Sequence, residues 1–400
     1  MTTTPSPQAH RSTTTVGIVG GGPAGLMLSH LLARDGIDSV VIDNRTYAEI
    51  EQTVRAGILE AGSVSLLVDT GVSDRVLREG DEHAGIEIGF DGRLARIDFA
   101  DLVGSSVWLY PQTDVFIDLA AARARAGGDV RFGVTDTAVD ELTGDRPLLR
   151  FTDDTGVPHE IRCDLLVGAD GSRSICRHAI PESQREQRFR EYPFAWFGIL
   201  CEAPTSAPRA GLQPLRSRVR PDQPEHRVTP ADVLPVRPGH RRRSLSDDRI
   251  WAELQSRVNG NGLHLREGPI TSRTVLRFRS FVCEPMRYGR LLLAGDAAHT
   301  VPPTGAKGLN LALADVRVLA PAIRAFLATG AEHALDAYSE QALARVWKAQ
   351  HFSSWMTSML HLPSEASAFD LRRQQAEIRS IIESRAGSTY LAESYTGWPA

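Results

Sequence analysis

The chain has 400 residues, of which 42% are hydrophobic and 24% are charged, and its formal net charge at pH 7 is −4. This length accommodates two or three domains, and the composition is typical of a globular protein in water. The charge balance gives no support to a nucleic-acid or anionic-membrane partner, and no apolar run approaches the roughly 20 residues of a membrane span. We therefore expect a cytoplasmic protein.

The cysteines and the amino-terminal residues fit that location. The four cysteines are scattered, with neither a CxxC pair nor the spacing of metal ligands, so we expect free thiols and no metal site. Residues 1–14 are rich in Thr, Ser and Pro and lack the apolar segment of a signal peptide, which predicts a disordered leader.

The first informative stretch is a glycine-rich turn between an apolar strand and a predicted helix from Pro23 to about Arg34. Gly20 permits a tight turn, Gly22 permits close approach to a pyrophosphate, and Gly25 permits helix–strand packing. A second apolar strand ends at Asp43, about 20 residues on, where an acceptor for an adenosine ribose hydroxyl is expected. The pattern predicts a site for FAD or NAD; the alternative is a glycine-rich turn without a ligand.

Two later strands end in an aspartate close to the start of a helix. Asp170 follows an apolar strand and precedes Gly171, which fits a cofactor contact or simply a turn with a helix N-cap. Asp296 follows a buried strand and precedes a helix start at 305–313, whose free N–H groups suit negative charge on a flavin ring. An NAD-dependent dehydrogenase does not need this second acid and helix start, so together with the glycine turn they favour FAD over NAD.

The rest of the chain gives mainly structural predictions. Arg55 and Glu60 lie near the start of a predicted helix and are expected in solvent, and His83 beside a strand is expected to be structural. Two carboxy-terminal helices are predicted, over about 334–361 with a broad apolar face and over about 368–384.

These sites together make the chain resemble the class A flavoprotein aromatic hydroxylases. The resemblance covers nearly all of 16–204 and 246–399, and the run Pro302–Asn310 is specific to a narrow group within the family. The segments that carry it are the glycine turn with Asp43, Arg55–Glu60, Tyr110–Thr113, Asp170–Gly171, Tyr192–Trp196, Gly295–Asn310, Trp347–Ser358 and Tyr395.

The resemblance implies an α/β fold with a Rossmann-like FAD-binding domain, a β-rich substrate domain and a helical carboxy-terminal part. It places the FAD-binding domain at 15–185, with 286–330 returning to the flavin site. The substrate domain would span 186–285, and 286–400 would hold the flavin-site strand and helix followed by the helical region. The family also suggests a homodimer.

The resemblance further implies a reaction. NAD(P)H reduces FAD, the flavin takes up O2 as a C4a-hydroperoxide, and OH is transferred to the ring carbon ortho to a phenol, with 4-hydroxybenzoate as the expected substrate. The phenol must lose its proton, because the neutral ring is a poor nucleophile. Tyr395 and His83 match the family's proton chain, and Pro303, Thr304 and Tyr395 match its substrate contacts.

Further residues match the family's coenzyme contacts. Arg173 and Arg279 match positions that meet the phosphates of the nicotinamide coenzyme. Thr53 replaces a basic residue of NADPH-preferring members, which leaves both NADH and NADPH open. The residues expected to contact FAD are Gly20, Gly22, Gly25, Asp43, Arg55, Gln112, Asp170, Asp296, Gly305, Leu309 and Asn310.

The stretch 205–245 departs from the family. Between Leu200 and Ile250 there is no Phe, Tyr, Trp, Ile or Met, and Arg and Pro are abundant. We do not expect such a stretch to form the family's substrate-covering sheet, because Pro removes ladder donors and few apolar side chains remain. Our interpretation is a pair of compensating frameshifts, near Pro208 and near Leu245; the alternative is a genuine Arg/Pro-rich disordered insertion.

This departure leaves two other functions open. Without the sheet, the chain would be a FAD-binding protein that does not hydroxylate or that oxidises NAD(P)H without coupling. Alternatively, it would hydroxylate another phenol, since the residues that read the substrate carboxylate fall in the anomalous stretch.

Overall fold

The computed structural model describes residues 9–53, 57–90, 93–203, 211–212, 232–236, 246–258, 264–363 and 365–398. The strands form one large sheet and three smaller ones. In chain order they are β1 (His10–Val19), β2 (Ser39–Asp43), β3 (Ile58–Glu60), β4 (Asp81–His83), β5 (Gly85–Phe90), β6 (Arg93–Asp98), β7 (Val107–Leu109), β8 (Asp129–Phe132), β9 (Thr135–Asp140), β10 (Leu148–Thr152), β11 (Pro158–Gly168), β12 (Glu186–Cys201), β13 (Gly211–Leu212), β14 (Asp232–Val236), β15 (Ile270–Glu284), β16 (Arg287–Tyr288), β17 (Leu291–Leu293) and β18 (His299–Thr300).

The α-helices follow the same order, and the longest lie in the last third of the chain. They are α1 (Pro23–Arg34), α2 (Tyr47–Glu51), α3 (Ala61–Asp69), α4 (Arg75–Glu79), α5 (Phe99–Val103), α6 (Gln112–Arg125), α7 (Ile175–Ala179), α8 (Asp247–Val258), α9 (Gly308–Thr329), α10 (His333–Leu360), α11 (Ala368–Ile382) and α12 (Arg385–Thr396).

The large sheet has a parallel centre. β1 pairs in parallel with β2 on one side and with β11 on the other, and β17 extends the sheet beyond β11. These strands are continuous apolar runs, and Val16, Ile18, Val41, Leu166 and Leu292 are fully buried, as is typical of a parallel sheet that is covered on its faces. The predicted α/β class is confirmed, and the ends of β1, β2, β11 and β17 meet at one edge.

Helices α1 and α9 pack against each other beside this sheet. Helix α1 has the predicted bounds and buries Leu26, Met27 and Leu28, while α9 buries Leu319 and Ile323 in the same core. Both helices begin close to the edge where the parallel strands end, so their amino-terminal N–H groups are available there.

A second sheet is built on the long antiparallel pair of β12 and β15, with β14 beside β12 and β18 beside β15. The expectation that 205–245 contributes nothing to this sheet is wrong for 232–236, which form β14. Pro235 is tolerated because β14 is an edge strand in the described part of the sheet. Apart from β13 and β14, the stretch 205–245 lies outside the described residues.

The carboxy-terminal helices complete a second apolar core between this sheet and the strands β5 and β6. It contains Phe99, Trp196, Phe278, Met356 and Tyr395. Helices α10 and α11 confirm the predictions, whereas α12 was not predicted. This last helix carries Tyr395 into the core.

The amino terminus differs from the sequence-based expectation, whereas the cysteines agree with it. Strand β1 begins at His10, so residues 10–14 pair with β11 and the predicted leader boundary at residue 14 is wrong. All four cysteines are buried free thiols, as predicted. Among the helices in the described ranges, none is both long and apolar enough to cross a membrane.

Candidate active site

The glycine turn lies where β1 ends. Gly20 has a φ of +114°, and a Cβ there would lie 2.2 Å from the Ala169 carbonyl oxygen. A Cβ at Gly25 would lie 1.9 Å from the Gly20 oxygen. Gly22 differs, because a Cβ there would meet nothing within 4 Å and no side chain caps the start of α1. The protein itself requires the outer glycines, while Gly22 borders open space beside free helix N–H groups.

Asp43 is brought to this turn from the end of β2. Its buried carboxylate accepts a hydrogen bond of 2.8 Å from the Gly21 N–H. The Arg45 backbone N–H and Nε donate to the other oxygen at 2.9 and 3.0 Å. The carboxylate is therefore fixed beside the glycine turn, where the prediction of a ribose acceptor requires it.

Asp170 reaches the same turn from the end of β11, since a Cβ on Gly20 would lie 2.7 Å from the Asp170 nitrogen. Its carboxylate accepts hydrogen bonds from the Ser174 hydroxyl at 2.5 Å and the Cys176 N–H at 3.2 Å. Burial raises the pKa of this carboxyl. These contacts are those of the turn-and-cap alternative, and a cofactor role for Asp170 stays a prediction.

Asp296 lies in a 3-10 turn that follows β17 and packs between α1 and α9. A side chain at Gly295, where φ is +62°, would lie 3.5 Å from Ala24 and 3.2 Å from Ala312. The turn therefore adjoins the start of α1. Asp296 itself is half-buried.

A buried pair that the sequence did not reveal holds this turn. Asp315 Oδ2 accepts from the Gly295 N–H at 2.8 Å and lies 2.7 Å from His299 Nε2. Both side chains are at most 2% exposed. Burial alone would lower the pKa of His299, but the charge and hydrogen bond of Asp315 outweigh it, so the pKa of His299 is raised. The pair ties the Asp296 turn to α9.

The run before α9 packs against α10. Pro303, a predicted substrate contact, begins a 3-10 turn, and its carbonyl accepts a hydrogen bond of 2.9 Å from the Ala306 N–H. Thr304 is buried, and its hydroxyl lies 2.9 Å from that of Thr357. A Cβ on Gly305 would lie 2.6 Å from the Ser353 hydroxyl. Gly305 therefore has a packing role on α10 besides its predicted cofactor role.

The start of α9 has no side-chain cap, and its second residue, Leu309, is half-buried. Asn310 is buried, and its amide nitrogen donates to the carbonyls of Ile58 and Ala306 at 2.8 and 3.0 Å. Its amide oxygen accepts from the Glu60 N–H and the Ser63 hydroxyl at 2.9 and 2.7 Å. Because the Asn310 side chain is engaged in these four hydrogen bonds, only its backbone N–H could make the predicted contact with the cofactor.

Glu60, expected in solvent, is buried, and this expectation is wrong. Lys307, which the sequence analysis did not single out, donates to Glu60 Oε1 at 2.6 Å and to the Tyr395 carbonyl at 3.0 Å. Arg345 lies 3.4 Å from Glu60 Oε2. Burial lowers the pKa of Lys307, with the Glu60 charge acting against it. The only feature of the sequence that indicated this ion pair was the charge of Lys307 within a run of mostly small and apolar residues.

Tyr395 and His83 share a region of the second core. Tyr395 stacks on Phe99 with ring centroids 5.4 Å apart, and burial raises the pKa of Tyr395 to about 12. His83 is buried on β4 opposite Val107 of β7, which belongs to the same apolar core as Tyr395. His83 Nε2 lies 2.6 Å from Asp81 Oδ2.

The remaining predicted residues lie around this centre or outside the described residues. Gln112 is half-buried at the start of α6. The chain just before it passes close to Gly57, since a Cβ on Gly57 would lie 2.1 Å from the Tyr110 oxygen. Arg173 and Arg279 are exposed. Arg55 lies outside the described residues, so its predicted contact has no structural counterpart here.

The geometry as a whole fits a dinucleotide. The starts of α1 and α9, the Asp43 carboxylate and the Asp296 turn converge on one edge of the parallel sheet. The glycines Gly22, Gly171 and Gly308 border open space there, since a Cβ on any of them would meet nothing within 4 Å. Helix N–H groups suit phosphate oxygens, and carboxylates suit ribose or ribityl hydroxyls.

Comparison with known proteins extends this finding. The family described as "FAD binding domain" matches residues 13–353. The p-hydroxybenzoate hydroxylase of Acinetobacter baylyi is 39% identical over 397 residues, 96% of this chain and 96% of that protein. The probable NADH-specific resorcinol 4-hydroxylase of Rhodococcus jostii is 26% identical, over 84% of this chain and 63% of that protein.

Among solved structures, p-nitrophenol 4-monooxygenase from Pseudomonas putida has a TM-score of 0.78 at 19% identity. The match covers 98% of this chain and 100% of that one. At this identity the likeness concerns the fold alone.

Proposed function

This chain belongs to the family of FAD-dependent aromatic hydroxylases, and on that premise we propose that it converts 4-hydroxybenzoate to 3,4-dihydroxybenzoate with NADH or NADPH and O2. The observation that supports this substrate assignment is the 39% identity to a p-hydroxybenzoate hydroxylase, which extends over 96% of both chains.

We assign FAD to the edge where the parallel strands end. The α1 start beyond Gly22 would take the pyrophosphate, Asp43 a ribose hydroxyl and Asp296 the ribityl chain. The uncapped start of α9 would lie beside the flavin ring. When bound, FAD takes electrons from the nicotinamide coenzyme and activates O2 for hydroxyl transfer.

The substrate would lie between the Pro303–Thr304 turn and Tyr395. The Tyr395 hydroxyl is protonated at neutral pH, as in an ordinary tyrosine, and burial raises its pKa further, to about 12. Because a hydroxyl both donates and accepts, Tyr395 can take the phenol proton of the substrate while passing its own proton towards His83. Removing this proton activates the ring carbon ortho to the phenolate for attack.

For the nicotinamide coenzyme we assign Arg173 and Arg279, both exposed and therefore able to meet its phosphates. Arg279 also lies near enough to contribute to the lowered pKa of Arg177, after the larger effect of burial. This local concentration of positive charge suits a pyrophosphate.

The test uses the full chain with FAD, either coenzyme and 4-hydroxybenzoate. The 3,4-dihydroxybenzoate formed is compared with the coenzyme consumed, and a ratio near one is expected. In Tyr395→Phe the ring packing on Phe99 is kept, so flavin binding should persist while ionisation of the bound phenol is lost.

Peroxide formed without dihydroxybenzoate would contradict the proposal and favour the uncoupled FAD-binding protein. A ratio near one with a different phenol only would indicate another substrate. Sequencing the DNA across codons 200–250 tests the frameshift interpretation separately, since an unshifted frame in accurate reads would contradict a sequencing error.

A further inference from the structure

The side chain of His83 is almost completely buried, but the residue two positions before it is not. His83 is 5% exposed and Asp81 is 35% exposed, and the distance from His83 Nε2 to Asp81 Oδ2 is 2.6 Å. Both lie on β4, where residues two apart point to the same face. Asp81 therefore extends from a buried imidazole to solvent.

We propose that Asp81 is the positioning residue of the proton path: it fixes the orientation of the His83 ring and passes the proton that leaves the active site on to water. This inference rests on the proposed function, in which the substrate phenol gives up a proton through Tyr395 and His83. It adds the group through which that proton reaches solvent.

The ring chemistry explains why a carboxylate is needed at this place. A proton that arrives at His83 Nδ1 makes the ring an imidazolium, and Nε2–H can then give its proton to Asp81 Oδ2. The ring is left neutral, Asp81 becomes a carboxylic acid, and its exposed side returns the proton to water or a buffer base. No electron is transferred, and one proton enters and leaves.

Burial limits the access of water to this contact. With only 5% of His83 exposed, bulk water has little access to the ring. On the strand next to β4, His83 lies opposite Val107, an apolar residue that offers no side-chain acceptor. The neighbouring Glu82 is exposed and, being one position away, points to the opposite face of the strand. Glu82 therefore serves as a matched control.

The experiment measures proton release rather than product. The holoenzyme is mixed with 4-hydroxybenzoate in weakly buffered phenol red, and the rate of proton release and of phenolate formation is followed by stopped-flow absorbance. We expect Asp81→Asn to slow release by about tenfold or more, Asp81→Glu to restore it, and Glu82→Gln to leave it unchanged. Formate added to Asp81→Ala should restore part of the rate.

A second readout does not depend on turnover. The nitrogen NMR signals of His83 should report protonated Nε2 in the wild type and a changed or mixed tautomer in Asp81→Asn. Proton release in Asp81→Asn as fast as in wild type would overturn the inference, as would a loss that neither Asp81→Glu nor formate restores. Failure of the proposed function looks different, because the wild type itself would then neither ionise the substrate nor form product.

Discussion

The glycine turn and the start of α9 both border the proposed flavin site, but they are built in opposite ways. The turn is held by the close approach of Gly25 to the Gly20 oxygen and by the hydrogen bond from the Gly21 N–H to the Asp43 carboxylate, all within 25 residues of the chain. The start of α9 is held by the side chains of Lys307 and Asn310, which bind to Glu60, about 250 positions earlier in the chain. Steric crowding decides which residues the glycine turn tolerates. At the start of α9, the free-energy cost of burying charged groups decides it.

Removing one charge should therefore have the largest effect. In Lys307→Met, Glu60 stays buried with only the more distant Arg345 near it, and we expect the free energy of unfolding to fall by about 3–5 kcal/mol. Urea unfolding of the flavin-free protein measures this. The double variant Glu60→Gln/Lys307→Met should recover most of the loss, and a single variant as stable as wild type would refute the assigned importance of the pair.

A buried histidine, His361, sharpens the point. His361 Nε2 accepts from Trp196 Nε1 at 2.9 Å, and its Nδ1 donates to the Thr357 carbonyl at 3.0 Å, so the ring is held neutral. Burial lowers the pKa of His361 to about 4, with the Thr357 hydrogen bond opposing the shift. The unfolded chain therefore binds a proton between about pH 6.5 and 4 that the folded protein does not.

Stability from this group is complete above about pH 6.5 and is lost as the pH falls towards 4, by about 3 kcal/mol. Urea unfolding measured across this pH range tests the loss. His361→Gln is the control, because its amide can keep both hydrogen bonds but does not titrate. Equal pH slopes for wild type and His361→Gln would show that His361 is not the source.

In the glycine turn the effects should be steric and smaller. Gly25→Ala places a Cβ 1.9 Å from the Gly20 oxygen, and the strand or helix must move, which we expect to cost about 2 kcal/mol of stability. Thermal unfolding without flavin measures the change. Wild-type stability in this variant would mean that the turn relaxes more easily than its close contacts indicate.

Gly22→Ala should have the smallest effect on folding. Its Cβ meets no protein atom, so the stability loss should stay below about 1 kcal/mol, the cost of Ala at an N-cap. The same Cβ faces the proposed pyrophosphate position, and FAD should bind about tenfold more weakly, equivalent to about 1.4 kcal/mol. Flavin fluorescence titration measures it, and unchanged affinity would place the pyrophosphate elsewhere.

The glycine turn was predictable from the sequence, whereas the contacts at the start of α9 were not. The bounds of α1 and the position of Asp43 were predictable because strand, turn, helix and acid are adjacent in the chain. The burial of Glu60 was not predictable, because a glutamate near a helix start is usually in solvent and its partners are remote. Helix α12 was also missed, since its apolar face becomes evident only against α5 and α11.

The sheet of β14, β12, β15 and β18 shows the clearest wrong expectation drawn from composition. An Arg- and Pro-rich stretch was expected to lack strands, yet 232–236 form β14. A strand at a sheet edge needs hydrogen bonds on one side only, so β12 can supply the register that local propensity does not.

The sequence by itself determined the α/β class, the dinucleotide turn and the family resemblance, because glycine conformation, apolar runs and short spacings act locally. The tertiary structure alone decided which polar groups lose water and which partners they meet: Lys307 with Glu60, His299 with Asp315, and His83 with Asp81. The first two pairs join different elements, and even the third depends on tertiary packing to bury His83. The free energy of such groups depends on the solvent they lose and the charges they gain, and these quantities exist only once the chain has folded.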